Sequence, residues 1–134
     1  MKVLIDTNIL ISASLNSGGK PFQAYLKAVT YPNRGFVCEQ NIVELRRVFN
    51  RKFPHKIPAF ERFLSVALTA LDVVPTPPER LADETQIRDI DDQPILRAAI
   101  HAEVDILLTG DKDFLESGLT NPKIMTAAEF LDLK

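Results

Sequence analysis

Two aspartates follow short apolar runs: Val3-Leu4-Ile5 leads directly into Asp6, and Ile106-Leu107-Leu108 leads through Thr109-Gly110 into Asp111. Each run is β-branched or leucine-rich and too short for a buried helix, so each reads as a buried strand of a parallel sheet. Ligands of open α/β sheets bind just outside the carboxyl ends of the strands, and both acids are expected at that edge. Carboxylates held together raise one another's energy unless something positive lies between them. A divalent cation is the first such charge to consider. Magnesium and manganese prefer oxygen ligands, with magnesium at about 2.1 Å and usually keeping several waters. Three or four carboxylates around an open position suit one or two such ions, which activate water and stabilise charge developing on a phosphodiester.

Further acids qualify by position. Glu39 or Glu44 follows a second strand, and Asp89, Asp91 and Asp92 cluster ahead of a helix. Each also has an ordinary role open to it. Asp6 and Thr7 suit the cap of the next helix, and Asp111 suits a turn in Gly-Asp-Lys-Asp. The Asp89–Asp92 cluster is favoured at a helix N-terminus by the dipole alone, and Glu44 suits a solvated helix face. Their joint placement at one sheet edge favours the metal. The two histidines, His55 and His101, lie far apart and make no metal-ligand spacing. His101, near a helix end, is expected to be structural. The single Cys38 excludes an internal disulfide and a cysteine-based zinc site, and suits packing within the second strand.

The elements that must position these acids alternate along the chain. After the first strand, a short helix is expected over 9–15 and a longer one over 20–30, with Pro21 in its first turn. A small strand at 36–38 precedes a helix from about Asn41 carrying Ile42, Leu45, Val48 and Phe49 on one face. Pro54 and Pro58 open another helix with Phe60, Phe63, Leu64, Ala67, Leu68 and Leu71 toward the core. A strand at 72–74 runs into a stiff Pro75-Thr76-Pro77-Pro78 crossover, then a helix begins at Asp92 or Gln93. The strand at 106–108, a last strand at 123–125 and a helix capped by Thr126 complete the chain. Alternation of this kind predicts an α/β fold, three layers α/β/α, with a central parallel sheet of about four to five short strands. With 134 residues, 46% hydrophobic and 25% charged, the chain is expected to fold as one domain over 1–134. The net charge of −2 lowers the expectation of a nucleic-acid partner without removing it. No signal peptide and no membrane span are expected, and a cytoplasmic location follows.

Lys2-Val3-Leu4-Ile5-Asp6-Thr7-Asn8-Ile9-Leu10 resembles the opening of the PIN-domain nucleases. Asp91-Asp92-Gln93-Pro94-Ile95-Leu96-Arg97-Ala98-Ala99, followed by Ile106-Leu107-Leu108-Thr109-Gly110-Asp111-Lys112-Asp113-Phe114, resembles their second half. The resemblance runs nearly the length of the chain and is nearest in style to the short members taken as toxins of toxin–antitoxin pairs. It implies a magnesium- or manganese-dependent ribonuclease acting on single-stranded RNA, with Asp6, Glu44, Asp92 and Asp111 as metal-binding acids. Asp91 rivals Asp92 for the third place because the doublet blurs the match by one position, and Asp89 is a more distant rival. Asp113 is expected to assist the metal or to cap the turn. Thr7, Asn8, Ser12 and Thr109 match small polar positions that orient the acids. A small antitoxin protein and a homodimer are the partners the resemblance implies, besides RNA.

Beside Glu44, Arg46, Arg47, Arg51 and Lys52, with His55 and Lys56, form a candidate basic strip for phosphates. A solvated helix face is the ordinary alternative. Phe53 within the strip suits the core more than base stacking. Two other functions place aspartates at the same edge of a parallel sheet. A phosphatase of the aspartyl type would need a second aspartate where Asn8 stands, and a receiver domain would need its acid doublet at the end of the first strand. A non-catalytic RNA-binding module on the same fold would be expected to lack the acids, and here all four are present.

Overall fold

The computed structural model describes residues 1–133, the side chain of residue 83 excepted. Five strands, β1 (Lys2–Ile5), β2 (Arg34–Cys38), β3 (Leu71–Val74), β4 (Ile106–Leu108) and β5 (Lys123–Met125), form one parallel sheet in the order β3-β2-β1-β4-β5. The chain builds outward from β1 to β3, then crosses back to lay β4 against the other side of β1. The strand order therefore reverses between β1 and β4, the place where open α/β sheets leave a crevice at their carboxyl edge.

Helices fill both faces, as the alternation predicts. Val3, Ile5, Val37, Ile106 and Leu108 face one core cluster, made with α1 (Thr7–Leu15), α2 (Lys20–Val29), α3 (Glu39–Lys52), α4 (Ile57–Ala70) and α7 (Ala127–Asp132). Leu4, Phe36, Cys38 and Leu107 point the other way. They meet α5 (Gln93–His101), Phe114 of α6 (Lys112–Leu115) and Ile87 of the β3–α5 connection. The alternation of neighbouring residues between two fully buried faces explains why these strands are continuously apolar.

Several boundaries differ from expectation for local reasons. α1 starts at Thr7 rather than Ile9, because the Asp6 carboxylate accepts the Thr7 N–H and caps the helix. α3 starts at Glu39, since the Asn41 side chain reaches back to accept the Cys38 N–H. The one-turn α6, capped by Asp111, and a 3-10 turn at Ala82–Gln86 are too short to show a period in sequence. Pro54–Lys56 also forms a 3-10 turn ahead of α4.

A buried ion pair secures the long β3–α5 connection. Arg97 of α5 donates from Nη2 to Glu84 Oε1 at 2.7 Å, from Nε to Glu84 Oε2 at 3.2 Å, and from Nη1 to the Pro77 carbonyl at 2.8 Å. Gln93 adds a bond to the Ile87 carbonyl at 3.1 Å. These ties hold the segment that carries Asp89, Asp91 and Asp92. No helix among the described residues is long and apolar enough to cross a membrane.

Candidate metal centre

Register brings the two ends of the chain together at the carboxyl edge. Ile5 pairs with Leu108, and the next step of the ladder is the Asp6 N–H donating to the Leu108 carbonyl at 2.9 Å. Asp6 therefore lies level with Thr109, whose hydroxyl donates to Asp6 Oδ2 at 2.8 Å. The same hydroxyl accepts the Asp111 N–H at 3.0 Å, so one side chain fixes both strand-ending acids. Asn8 Oδ1 accepts the Gly110 N–H at 3.3 Å and ties α1 to the same loop.

Asn41 is the partner that sequence reasoning missed. Fully buried, it donates from Nδ2 to Thr7 Oγ1 at 2.7 Å and, more distantly, to Asp6 Oδ1 at 3.4 Å. It stands in the first turn of α3, one turn ahead of Glu44, and nothing local in the sequence marks it for this role.

Asp6 is only 4% exposed, and this burial is the main reason its carboxyl is pushed up to about 6. The bonds from Thr109 and Thr7 pull the other way, while the charges of Glu44 and Asp111 add to the rise. Glu44 is half-buried and also raised, first by burial and then by Asp91 and Asp89. Arg47 and the Thr7 hydroxyl oppose that rise.

Asp92 is 8% exposed, and its Oδ2 has no hydrogen-bond partner among the described residues. Its carboxyl is pushed up to about 8, chiefly by burial. A hydrogen bond to Asp111 that only the protonated form can donate comes next, then the charges of Asp6, Asp111 and Asp89. Of the doublet, Asp92 is the member turned inward. Asp91 is exposed, with its N–H donating to Asp89 Oδ1 at 2.9 Å. Oxygens of Asp89, Asp92 and Asp113 lie within 4.8 Å of one another. Asp113 also faces Arg88, 2.9 Å away.

Separate elements thus bring Glu44, Asp92 and Asp111 each into electrostatic reach of Asp6, and Asp92 and Asp111 into reach of one another. A buried carboxylate oxygen without a donor is expensive to keep, and each neighbouring acid adds repulsion. Such a set is short of positive charge. Its all-oxygen composition fits a hard divalent cation such as Mg2+ or Mn2+ better than zinc or copper.

The remaining candidates divide. Ser12 lies on α1 one turn beyond Asn8 and is exposed, with no described bond to an acid. Arg46 turns away from Glu44 and pairs with Glu61 of α4 at 2.5 Å. Arg47 lies beside Glu44, and Arg51 is one turn further along that face; Lys52 is exposed at the helix end. His55 and Lys56 are exposed in the following 3-10 turn. Phe53 packs on Phe49, ring centres 5.5 Å apart, and belongs with the core. Exposed His101 ends α5, and buried Cys38 places Sγ 2.9 Å from Thr76 Oγ1.

A parallel α/β/α sandwich with acids gathered at its switch point defines the class. The chain belongs to the PIN domain family, whose model matches residues 2–113. No curated protein sequence matches it. Solved structures share its fold at low identity. VapBC2 from Rickettsia felis, bound to a DNA fragment from its promoter, aligns with a TM-score of 0.70 at 16% identity, covering 94% of this chain and 98% of that one. DNA-bound VapBC from Salmonella typhimurium gives 0.65 at 18%, covering 95% and 98%. VapC20 of Mycobacterium tuberculosis, a toxin that cleaves the sarcin–ricin loop, gives 0.59 at 15%, covering 87% and 95%.

Proposed function

We propose that this chain is a Mg2+- or Mn2+-dependent endoribonuclease that hydrolyses phosphodiester bonds of single-stranded RNA, acting as the toxin of a toxin–antitoxin pair. The observation that carries the reading is Asp92. A buried carboxyl oxygen without a donor, set among three other acids, makes sense as half of a bond to a cation. Asp6, Glu44, Asp92 and Asp111 would hold the ion. When bound, the ion supplies activation of water and stabilisation of the negative charge that develops on the phosphodiester. The chain does the rest. Thr109, Thr7 and Asn41 fix the Asp6 carboxylate, and Asn8 holds the Gly110 turn that delivers Asp111. Arg47, Arg51 and Lys52 meet backbone phosphates on the α3 side, with Arg46 turned from them toward Glu61 of α4.

The toxin assignment rests on likeness to the sarcin–ricin-loop-cleaving toxin VapC20 and to two VapBC assemblies. A small antitoxin covering the acidic crevice, a homodimer, a cytoplasmic location and one domain over 1–134 belong to the same proposal. The test is cleavage of a single-stranded RNA by the purified chain with Mn2+, with EDTA, and after Asp6→Asn. Cleavage is expected only in the first case. Full Mn2+-dependent activity in the folded Asp6→Asn variant would falsify the assignment, and RNA binding without cleavage would turn it into the binding module.

A further inference from the structure

Arg88 stands against the acid cluster without being an acid or a partner of Asp6. It lies in the β3–α5 connection directly before Asp89, with Nη2 2.9 Å from Asp113 Oδ1 and 2.9 Å from Glu116 Oε2. Both acids come from α6 and the residue after it. Asp113 in turn shares its carboxyl cluster with Asp89 and Asp92. One guanidinium nitrogen therefore takes both acids, and among the described residues Nη1 and Nε have no partner. The side chain is 68% exposed. An arginine held at one nitrogen and open at the others is oriented without being used up, and its planar fork suits a phosphate.

Sheet order gives the position its meaning. α3 follows β2 and α6 follows β4, so the two helices flank Asp6 at the end of β1 on opposite sides. Arg47 and Arg51 stand on the α3 side. A polyanionic strand laid over the acids is repelled at the centre, and a chain of net charge −2 offers it no general attraction. It has to be held by cations close by on both sides. Arg88 is the guanidinium bonded to the acid cluster on the far side.

We propose that Arg88, held by Asp113 and Glu116, contacts a backbone phosphate of the RNA on the α6 side of the acids, opposite Arg47. This rests on the ribonuclease reading and adds a substrate contact to it. The test is fluorescence anisotropy of a labelled single-stranded RNA with the full chain carrying Asp6→Asn, in Mn2+, over a series of salt concentrations. Arg88→Gln is expected to weaken binding about tenfold. The slope of log K against log salt should shrink by about 0.7, the value of one phosphate contact on a single strand. Arg88→Lys should keep the slope, and melting temperatures should stay close to the parent's because Arg88 itself is largely exposed in both ion pairs. An arginine that served only to brace α6 would leave the slope untouched. If Arg88→Gln matches its parent in affinity and slope while Arg47→Gln does not, this inference falls and the ribonuclease reading stands. If the parent shows no salt-dependent RNA binding, both fall.

Discussion

Replacing Asp92 by asparagine should make the metal-free protein more stable. At pH 7 the folded chain holds a proton on Asp92, pushed up to about 8, while the unfolded chain, with its ordinary value of 3.8, does not. Each pH unit across that gap is worth about 1.4 kcal/mol, so at pH 7 the burden reaches about 4 kcal/mol. Between about pH 4 and pH 8 the folded state binds more protons than the unfolded one, so stability falls as pH rises through that window. Asp6, pushed up to about 6, steepens the fall over the lower half of the range. Asparagine keeps the shape, needs no proton, and brings an NH2 able to donate to Asp111. Asp92→Asn is therefore expected to gain roughly 2–4 kcal/mol in EDTA at pH 7, shrinking toward pH 4.5. Saturating Mn2+ should close most of that gap. The parent gains about 2.7 kcal/mol at a hundred times its dissociation constant, and the variant gains little. Urea unfolding followed by circular dichroism at pH 5, 7 and 8, with EDTA and with Mn2+, reads all of this. A variant less stable than the parent in EDTA at pH 7, or a parent whose stability rises from pH 5 to pH 8, would show that Asp92 is not a buried, proton-holding acid in the metal-free chain.

Arg97→Met strips Glu84 of its guanidinium and should lower unfolding free energy by about 3–5 kcal/mol, most of it recovered in the Arg97→Met/Glu84→Gln double variant. Arg97 holds the Glu84 carboxyl below the usual range, so this difference is fully present above about pH 4.5 and fades as pH drops through the folded value. A loss under about 1 kcal/mol in urea melts would show the pair to be dispensable. Thr109→Val removes the donor to Asp6 and the acceptor for the Asp111 N–H. It should weaken Mn2+ binding about 10–100-fold by calorimetry, and unchanged affinity would remove Thr109 from the site. Arg46→Ala should leave RNA affinity within about twofold, because its bond to Glu61 points it toward α4 and away from Glu44. Arg47→Ala should weaken it clearly, and equal effects of the two in a binding titration would contradict the division of α3 into faces.

How much was readable in advance depended on whether the signal was local. Asp6 and Asp111 stood out because each follows a run that can only be a buried strand, and strand ends in a parallel sheet share an edge. The choice between Asp91 and Asp92 was not local. It turned on which carboxyl the start of α5 carries inward, and burial of Asp92 with exposure of Asp91 is a product of packing. Asn41 looked like an ordinary residue near a helix start until β1 and β2 lay side by side and brought Thr7 against it. Arg46 and Arg47 are neighbours in sequence, yet a helix turns about 100° per residue, and only Arg47 stays beside Glu44. Arg88 was invisible because its partners, Asp113 and Glu116, lie far along the chain and in an element too short to recognise.

The central place of β1 has a consequence in time. Asp6 leaves the ribosome well before Thr109, whose hydroxyl orients it from 103 positions further along the chain. Half of the β1 ladder stays open until Ile106–Leu108 arrives. Contacts of such separation form late, because a long loop must close before they give any return. A nascent chain can assemble β1, β2 and β3 with α1–α4 and still carry no site. The proposed chemistry therefore waits until β4 has been made and laid beside β1, bringing Thr109 and Asp111 to Asp6.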